Sequence, residues 1–94
     1  MEFEWDPVKA TWNLHKHRVS FQEAASVFGD SLGATFPDPG HSLGEDRFIT
    51  VGLSNRGRLL LVAPAQRLER VRIISARMLS RGERRAYEEN AMTN

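Results

Sequence analysis

Arginine is concentrated in one segment of this sequence. Residues 67–85 contain seven arginines and two glutamates, so the segment carries +5, whereas the whole 94-residue chain carries +1 and the remainder therefore −4. A guanidinium group binds phosphate through two parallel N–H donors, and a cluster of positive charges attracts a polyanion. We therefore predict a phosphate-binding surface, although a solvated, salt-bridged face would give the same composition. The seven are Arg67, Arg70, Arg72, Arg77, Arg81, Arg84 and Arg85.

Other kinds of chemistry find little support in the sequence. The chain has no cysteine, which excludes thiol nucleophiles, disulfides and thiolate metal sites. Its three histidines are residues 15, 17 and 41; the first two lie on different faces of a predicted helix, and no carboxylate pair stands beside them at ligand spacing. Neither a glycine-rich phosphate loop nor a serine nucleophile motif is present. We expect neither metal nor any other cofactor.

Length and hydropathy indicate one small domain. A chain of 94 residues has room for a single modest core. No apolar run approaches the roughly 20 residues of a membrane span, and residues 1–6 are acidic where a signal peptide would be basic. We expect one domain over residues 1–94, without a membrane segment, in the cytoplasm.

Capping residues predict three helices. Asp6 is suited to cap a helix whose first residue is a proline, and Ser-x-x-Glu, the spacing of a capping box in which each side chain binds the other's backbone N–H, occurs at Ser20 and again at Ser80. The predicted helices run from Pro7 to about His17, from Ser20 to a stop at Gly29, and from Ser80 to about Asn90.

Short extended runs separated by Gly, Pro, Asn and Asp predict an antiparallel meander between the second and third helices. The predicted strands are Leu32–Phe36, Arg47–Leu53, Arg58–Ala63, which Pro64 should end, and Val71–Arg77. Strict alternation in the last strand puts Arg77 on the face of Val71 and Ile73, and Arg72 on the opposite face. The expected fold is α+β, in the order α-α-β-β-β-β-α, with a small antiparallel sheet packed against helices. Aromatic residues expected in the core are Trp5, Trp12, Phe21, Phe28 and Phe48.

From Phe3 to about Glu89 the sequence resembles the BrnT toxin family. The first motifs are Phe3-x-Trp5-Asp6-x-x-Lys9, Asn13-x-x-Lys16-His17-x-Val19-x-Phe21-x-Glu23-Ala24 and Val27-Phe28-x-Asp30. The later ones are Pro37-Asp38-Pro39-x-His41, Gly44-Glu45-x-Arg47, Leu59-Leu60, Arg72-Ile73-Ile74-Ser75-Ala76-Arg77, Glu83-Arg84-Arg85 and Tyr87-Glu88. Each motif alone is weak, but the ordered set is specific. The resemblance implies a RelE-like fold, a ribonuclease that arrests growth, an RNA substrate, a cognate BrnA-type antitoxin, and contact with operator DNA only through the antitoxin complex.

Cleaving RNA without a metal requires activation of the ribose 2′-hydroxyl, stabilisation of charge at phosphorus, and an acid for the departing 5′ oxygen. Given the resemblance, we expect Arg77 and Arg84 to stabilise the phosphate charge, because a planar guanidinium binds phosphate at two points. Lys9 and His17, on one helical stripe, are the candidates for proton transfer. Further RNA contacts are expected from Arg47, Arg67, Arg72, Arg81, Arg85 and Tyr87.

Each candidate also has a structural alternative. Lys9 suits a solvated first turn, and His17 suits capping of a helix end, where cations are favoured. An ion pair with Glu45 or Glu83 is the alternative for Arg77. For Arg84 and Arg85 the alternative is i,i+4 pairing with Glu88 and Glu89.

One stretch departs from the family pattern. Many relatives carry a His-Thr-Glu-Arg-like run after the third strand, where this chain has Pro64-Ala65-Gln66-Arg67, and Met78 follows Arg77 where relatives have a basic residue. A second hypothesis is therefore a catalytically degenerate toxin that binds its antitoxin and, through that complex, operator DNA. A basic DNA-binding protein acting alone fits less well, because no helix-turn-helix pattern is present.

Overall fold

The computed structural model of the chain describes residues 1–37 and 48–93. These residues form an α+β fold of five strands in one sheet, three α-helices and a 3₁₀ turn. The elements are β1 (Glu2–Glu4), α1 (Pro7–His17), α2 (Phe21–Ser26), the 3₁₀ turn (Val27–Gly29), β2 (Ala34–Pro37), β3 (Phe48–Leu53), β4 (Leu59–Arg67), β5 (Arg70–Met78) and α3 (Arg81–Thr93). No helix within these ranges is long and apolar enough to cross a membrane.

The sheet has the strand order β1-β5-β4-β3-β2. Strands β2 to β5 form the predicted antiparallel meander, but β1 adds a parallel edge in which Phe3 pairs with Val71. The predicted element order, which lacked β1, and the purely antiparallel sheet were therefore both wrong. Three residues are too few to show a period-two pattern, so β1 is recognisable only by its pairing with β5.

Pro64 does not end its strand, contrary to the sequence prediction. β4 continues to Arg67, and the register with β5 shifts between Ala63 and Pro64. The pairs between β3 and β4 reach only as far as Val62. A proline is tolerated next to such a register shift and on a stretch of strand that β3 no longer pairs.

Side-chain caps fix the helix ends. The Asp6 carboxylate accepts from the Val8 N–H at 2.8 Å. At α3 the capping box is complete, because Ser80 donates its backbone N–H to Glu83 and the Glu83 N–H donates to the Ser80 hydroxyl. At α2 only half of the predicted box forms: Ser20 accepts from the Glu23 N–H, but the Glu23 carboxylate turns to other partners.

The core lies between one face of the sheet and the α1, α2 and 3₁₀ segments. Its fully buried members are Val19, Phe21, Ala24, Val27, Leu60, Val62, Ile73 and Ala76. Trp5 packs edge-on against Phe21, with ring centroids 6.0 Å apart, and Phe28 packs against Phe3. The expectation that Trp12 and Phe48 are core residues was wrong, since they are 68% and 38% exposed.

Asn13 explains why Trp12 faces solvent. β1 pairs with β5 only up to Arg72, so on the β1 side the backbone of Ala76 has no strand beside it. The Asn13 side chain fills this place: it donates to the Ala76 carbonyl at 2.8 Å and accepts from the Ala76 N–H at 3.1 Å. A third bond, at 2.9 Å, runs to the Val19 carbonyl. Since adjacent helical residues differ by 100° around the axis, turning Asn13 inward turns Trp12 outward.

Candidate nucleic-acid interface

Four arginine side chains project from the sheet face opposite α1 and α2. We call this surface, formed by Arg67, Arg70, Arg72 and Arg77, the arginine face. Arg67 and Arg70 are directly paired across the hairpin, Arg72 is opposite Ala65, and Arg77 is opposite Leu61. On β5 these arginines flank Val71, Ile73 and Ala76, which are buried on the other face.

A bulge in β5 brings Arg72 and Arg77 to the same face. Pro64 pairs with Ile73 and Ala63 pairs with Ser75, so Ile74 is an extra residue in the strand. An extra residue reverses the alternation beyond it. The prediction that Arg72 and Arg77 lie on opposite faces was therefore wrong, and the bulge enlarges the basic surface.

Three of these four arginines are held by carboxylates. Arg70 lies 3.3 Å from Glu2, and Arg72 lies 2.9 Å from Glu4, both across the β1–β5 pairing. Arg77 donates two hydrogen bonds to Glu83, at 2.7 and 2.9 Å. The Arg67 side chain has no ion pair or hydrogen bond within the described residues. The face therefore presents ordered guanidinium groups, most of them already in exposed or half-exposed ion pairs.

The Arg77–Glu83 pair is one of the two ion pairs that sequence analysis gives as the structural alternative for Arg77. Hydrogen bonds from Arg77, with a further one from the Ser80 backbone, lower the pKa of Glu83 to about 2. The same contact raises the pKa of Arg77, although partial burial opposes this. The pair ties the first turn of α3 to the end of β5, because Glu83 also caps the helix.

The arginines of α3 are exposed, and other residues of this helix face the sheet. Arg81 and Arg85 are exposed, while the sheet-facing side of α3, with Glu83, Ala86 and Tyr87, lines an apolar groove of about 590 Å³. Arg84 donates from Nε to Glu88 at 3.0 Å, which is the i,i+4 pair named as its alternative. The helix arginines therefore lie outside the side of α3 that packs against the sheet.

Tyr87 lies on the sheet-facing side of α3 and ties the helix to the loop before β2. Its hydroxyl donates to the Leu32 carbonyl at 2.8 Å, and burial together with the charge of Asp30 raises its pKa. This half-buried place corresponds to the core-edge role considered for Tyr87 beside base stacking.

Lys9 and His17 lie on the α1 stripe that contains Asn13. Lys9 is exposed and His17, the last residue of the helix, is half-buried. Within the described residues, no hydrogen bond or ion pair joins either of them to Arg77 or Arg84. Of the predicted site residues and their alternatives, Arg47 and Glu45 lie outside the described residues, as does His41.

Sequence analysis missed a cluster around Glu23 and Arg58. The Glu23 side chain is 3% exposed and accepts from Arg58 through both of its oxygens. The Ser54 hydroxyl donates to the same carboxylate at 2.7 Å. The signal was the neighbourhood of Glu23: it stands between Phe21 and Ala24 on the buried side of α2, where a charge requires a partner. Because the partner, Arg58, comes from another element, 35 residues away, no local pattern indicates it.

The guanidinium of Arg58 opens onto a cleft between α3 and the β3–β4 hairpin. This cleft, of about 330 Å³, is lined by Arg58 and Arg84 together with Tyr87, Met78 and Asp30. It lies at the end of the molecule where α1 stops, because Arg58 also donates to the Arg18 carbonyl at 3.0 Å. Across the described ranges, no group of three or more His, Asp or Glu side chains is arranged to hold a metal ion.

Comparison with known proteins identifies the family of this chain. A model described as "Ribonuclease toxin, BrnT, of type II toxin-antitoxin system" matches residues 5–83. The chain belongs to the BrnT family. Membership of this family of ribonuclease toxins implies an antitoxin partner.

A solved structure supports the fold of this BrnT-family chain. The crystal structure of the Brucella abortus ribonuclease toxin BrnT matches it with a TM-score of 0.67 and 24% sequence identity. The match covers 86% of this chain and 99% of the Brucella chain. No match was found among curated proteins.

Proposed function

We propose that this BrnT-family chain is a metal-independent endoribonuclease whose cleavage of RNA arrests growth until a cognate BrnA-type antitoxin neutralises it. The arginine face carries the proposal, because it places four guanidinium groups on two adjacent strands of a surface that α1 and α2 leave uncovered. RNA in the cytoplasm would be its substrate, and operator DNA would be contacted through the antitoxin complex. A RelE-like fold, which the sequence resemblance implies, belongs to the same proposal.

Carboxylate pairing of the arginine face prepares it for phosphate. A carboxylate offers a guanidinium the same two-point acceptor geometry as a phosphodiester, so Arg77 is already oriented for that contact. Exposed ion pairs contribute only about 0–1 kcal/mol, which a polyanionic ligand can replace. Arg77 would then stabilise the charge that develops on the phosphate. Arg67 and Arg72 would bind neighbouring phosphates of the RNA.

Lys9 and His17 remain our candidates for the proton transfers. Asn13 binds the backbone of Ala76, and His17 follows one helical turn, about 6 Å, further along α1. Two residues of a strand span a similar distance, so His17 is level with Met78, the last residue of β5. Within the described residues, neither Lys9 nor His17 is engaged by a carboxylate, which leaves both side chains available to a substrate.

One observation favours the second hypothesis, a degenerate toxin. The stretch that departs from the family pattern lies in β4, where Pro64 is buried and Ala65 places only a methyl group opposite Arg72. Gln66 donates to the Leu68 carbonyl instead of reaching the arginine face. A protein of this kind would bind antitoxin and, in that complex, operator DNA, without cleaving RNA.

Incubation of the purified chain with labelled RNA in EDTA distinguishes the two hypotheses. We expect fragments ending in 2′,3′-cyclic phosphate from the wild type, and a loss of about 100-fold or more in kcat/KM for Arg77→Ala, the scale seen when one transition-state donor is removed. Arg77→Lys keeps the charge but not the fork, and should recover little. Arg56→Ala, an exposed arginine outside the proposed site, is the matched control and should stay within about threefold.

Intact RNA from a wild-type protein that is shown to be folded would favour the degenerate binding module. Growth arrest on expression without antitoxin, absent for Arg77→Ala at equal protein level, tests the cellular half of the proposal. Cleavage that disappears in EDTA would contradict metal independence while leaving the ribonuclease assignment intact.

A further inference from the structure

We propose that Arg58 and Arg84 form a phosphodiester-binding subsite in the cleft between α3 and the β3–β4 hairpin, with Glu23 as the positioning residue for Arg58. The inference rests on the proposed RNA substrate and adds a second contact region, at the end of α1, to the arginine face.

The hydrogen bonds of Arg58 leave one edge of its guanidinium for a ligand. Nε donates to Glu23 at 2.9 Å, and NH2 donates to Glu23 and, at 3.0 Å, to the Arg18 carbonyl. NH1 has only the Met78 sulfur, at 3.9 Å. A guanidinium has five N–H donors and thioether sulfur is a weak acceptor, so the two N–H groups of NH1 lack a strong partner. Met78, which NH1 contacts, lines the cleft together with Arg58.

Glu23 holds that edge in place from inside the protein. Its carboxylate is buried, and the hydrogen bonds from Arg58 keep its pKa below the ordinary value although burial opposes this. The Ser54 hydroxyl donates to the same carboxylate and accepts hydrogen bonds from the backbone N–H groups of Arg56 and Arg58. These bonds fix the turn. The Arg58 side chain, by contrast, is 25% exposed. An arginine ordered before binding loses less conformational entropy when a phosphate arrives.

Arg84 supplies the second guanidinium of the subsite. Its Nε is bound to Glu88, but its NH1 and NH2 groups have no partner within the described residues. Its side chain lines the same cleft as Arg58. The acid in the cleft, Asp30, is occupied by two backbone N–H groups, those of Leu32 at 3.0 Å and Leu53 at 2.7 Å. Two unfilled guanidinium edges therefore face a cleft whose carboxylate is already satisfied.

The subsite adjoins a proposed proton-transfer residue. Arg58 binds the carbonyl of Arg18, the residue directly after His17. The last turn of α1 is basic, with His15, Lys16 and His17. A phosphodiester between Arg58 and Arg84 would therefore bring the RNA backbone to the end of α1. This links the cleft to the cleavage reaction and makes it more than a peripheral anchor.

A purely structural role for the Glu23–Arg58 pair makes a different prediction from the subsite. Each protein–phosphate contact with single-stranded RNA steepens the dependence of log K on log salt concentration by about 0.7. The probe is a 2′-O-methyl RNA oligonucleotide, which binds but cannot be cleaved by 2′-hydroxyl attack. Its affinity would be measured at four salt concentrations, and the fold of each variant checked by circular dichroism.

Four variants define the test. Arg84→Gln and the double variant Glu23→Gln/Arg58→Gln, which leaves no unpaired buried carboxylate, should each bind about 10-fold more weakly and lose about 0.7 from the salt slope. Glu23→Gln alone keeps the charge of Arg58 but leaves its side chain less ordered. Affinity should therefore fall about threefold or more, with the salt slope nearly unchanged. Arg56→Gln, in the same turn, is the control for charge removal and should keep the wild-type slope.

Wild-type affinity and slope in the folded double variant would overturn the subsite, as would an unchanged slope in Arg84→Gln if the double variant does not fold. Either result would leave the proposed function standing, because wild-type cleavage is measured separately. Failure of the wild type itself to bind the oligonucleotide in a salt-dependent manner would overturn both proposals.

Discussion

The Arg77–Glu83 pair allows a quantitative prediction of how the stability of this protein depends on pH. Glu83→Gln removes the charge but keeps an oxygen that can still accept from the Ser80 N–H, so the helix cap survives. The fall of the Glu83 pKa from 4.5 to about 2 corresponds to about 3.4 kcal/mol at about 1.36 kcal/mol per pKa unit. The two side chains are 40% and 38% exposed, so solvent screening reduces this to about 1 kcal/mol.

The sign of the pH dependence follows from the lowered pKa. Ionised Glu83 stabilises the folded state above its unfolded pKa of 4.5, and this stabilisation is lost as the pH falls towards about 2. Urea unfolding of wild type and Glu83→Gln at pH 7, 5.5, 4 and 2.5 should therefore show a difference in free energy of unfolding that is constant above about pH 5.5 and then shrinks.

Glu88→Gln is the matched control on the same helix. It breaks the exposed i,i+4 pair with Arg84 and should cost no more than about 0.5 kcal/mol. A Glu83→Gln difference that is the same at pH 7 and pH 2.5 would refute the electrostatic explanation, because a loss of packing or capping does not titrate. No difference at pH 7 would show that the pair contributes nothing to stability.

Three further substitutions test structural features, and the Glu83→Gln variant also tests RNA binding. Asn13→Ala should cost about 2–4 kcal/mol in urea unfolding because it removes three buried hydrogen bonds, while Lys9→Ala on the same stripe should stay within about 0.5 kcal/mol; equal effects would contradict the role given to Asn13. Tyr87→Phe should speed hydrogen exchange in α3 while β5 stays protected, and uniform acceleration would argue against a local tie. Gly52→Ala places a Cβ 3.0 Å from Val27 Cγ1, so we expect a loss of about 1–3 kcal/mol by thermal unfolding; a neutral result would mean that the 3₁₀ turn shifts easily. Glu83→Gln, which frees Arg77, should bind RNA a few-fold more tightly, and weaker binding would contradict competition between phosphate and carboxylate.

Features with a local cause were predictable from the sequence. The caps at Asp6 and Ser80 fixed the starts of α1 and α3, because their partners lie within three residues. The β3–β4 hairpin was equally local: its turn closes with the Ser54 N–H bound to the Arg58 carbonyl, and Gly57 adopts a positive φ that other residues rarely adopt. The antiparallel meander followed from these turns.

Features with a distant cause were not predictable. The place of Trp12 depends on the open edge of β5, 63 residues from Asn13 along the chain. Strand β1 is too short to have a pattern of its own. Glu23 has the spacing of a capping residue, yet its carboxylate serves Arg58, 35 residues away. In each case a tertiary partner outweighed the local signal.

The candidate site was predictable in composition but not in arrangement. The arginine cluster is evident from charge alone, whereas the surface it forms depends on the bulge at Ile74. Without that extra residue, Arg72 and Arg77 would lie on opposite faces. The pairing of Arg77 with Glu83 is one of the two ion pairs that sequence analysis gives as alternatives for Arg77, and the two residues flank one tight connection between strand and helix.

The contact between Asn13 and Ala76 also bears on how this protein avoids aggregation through its strand edge. Beyond Arg72 the outer side of β5 would be a bare strand edge, and bare edges recruit strands from other molecules. One side-chain amide occupies both backbone groups of Ala76. An incoming strand therefore cannot form a continuous ladder of hydrogen bonds along that stretch. A protein with Asn13→Ala should therefore be prone to aggregation as well as less stable, even in the fraction of molecules that remain folded.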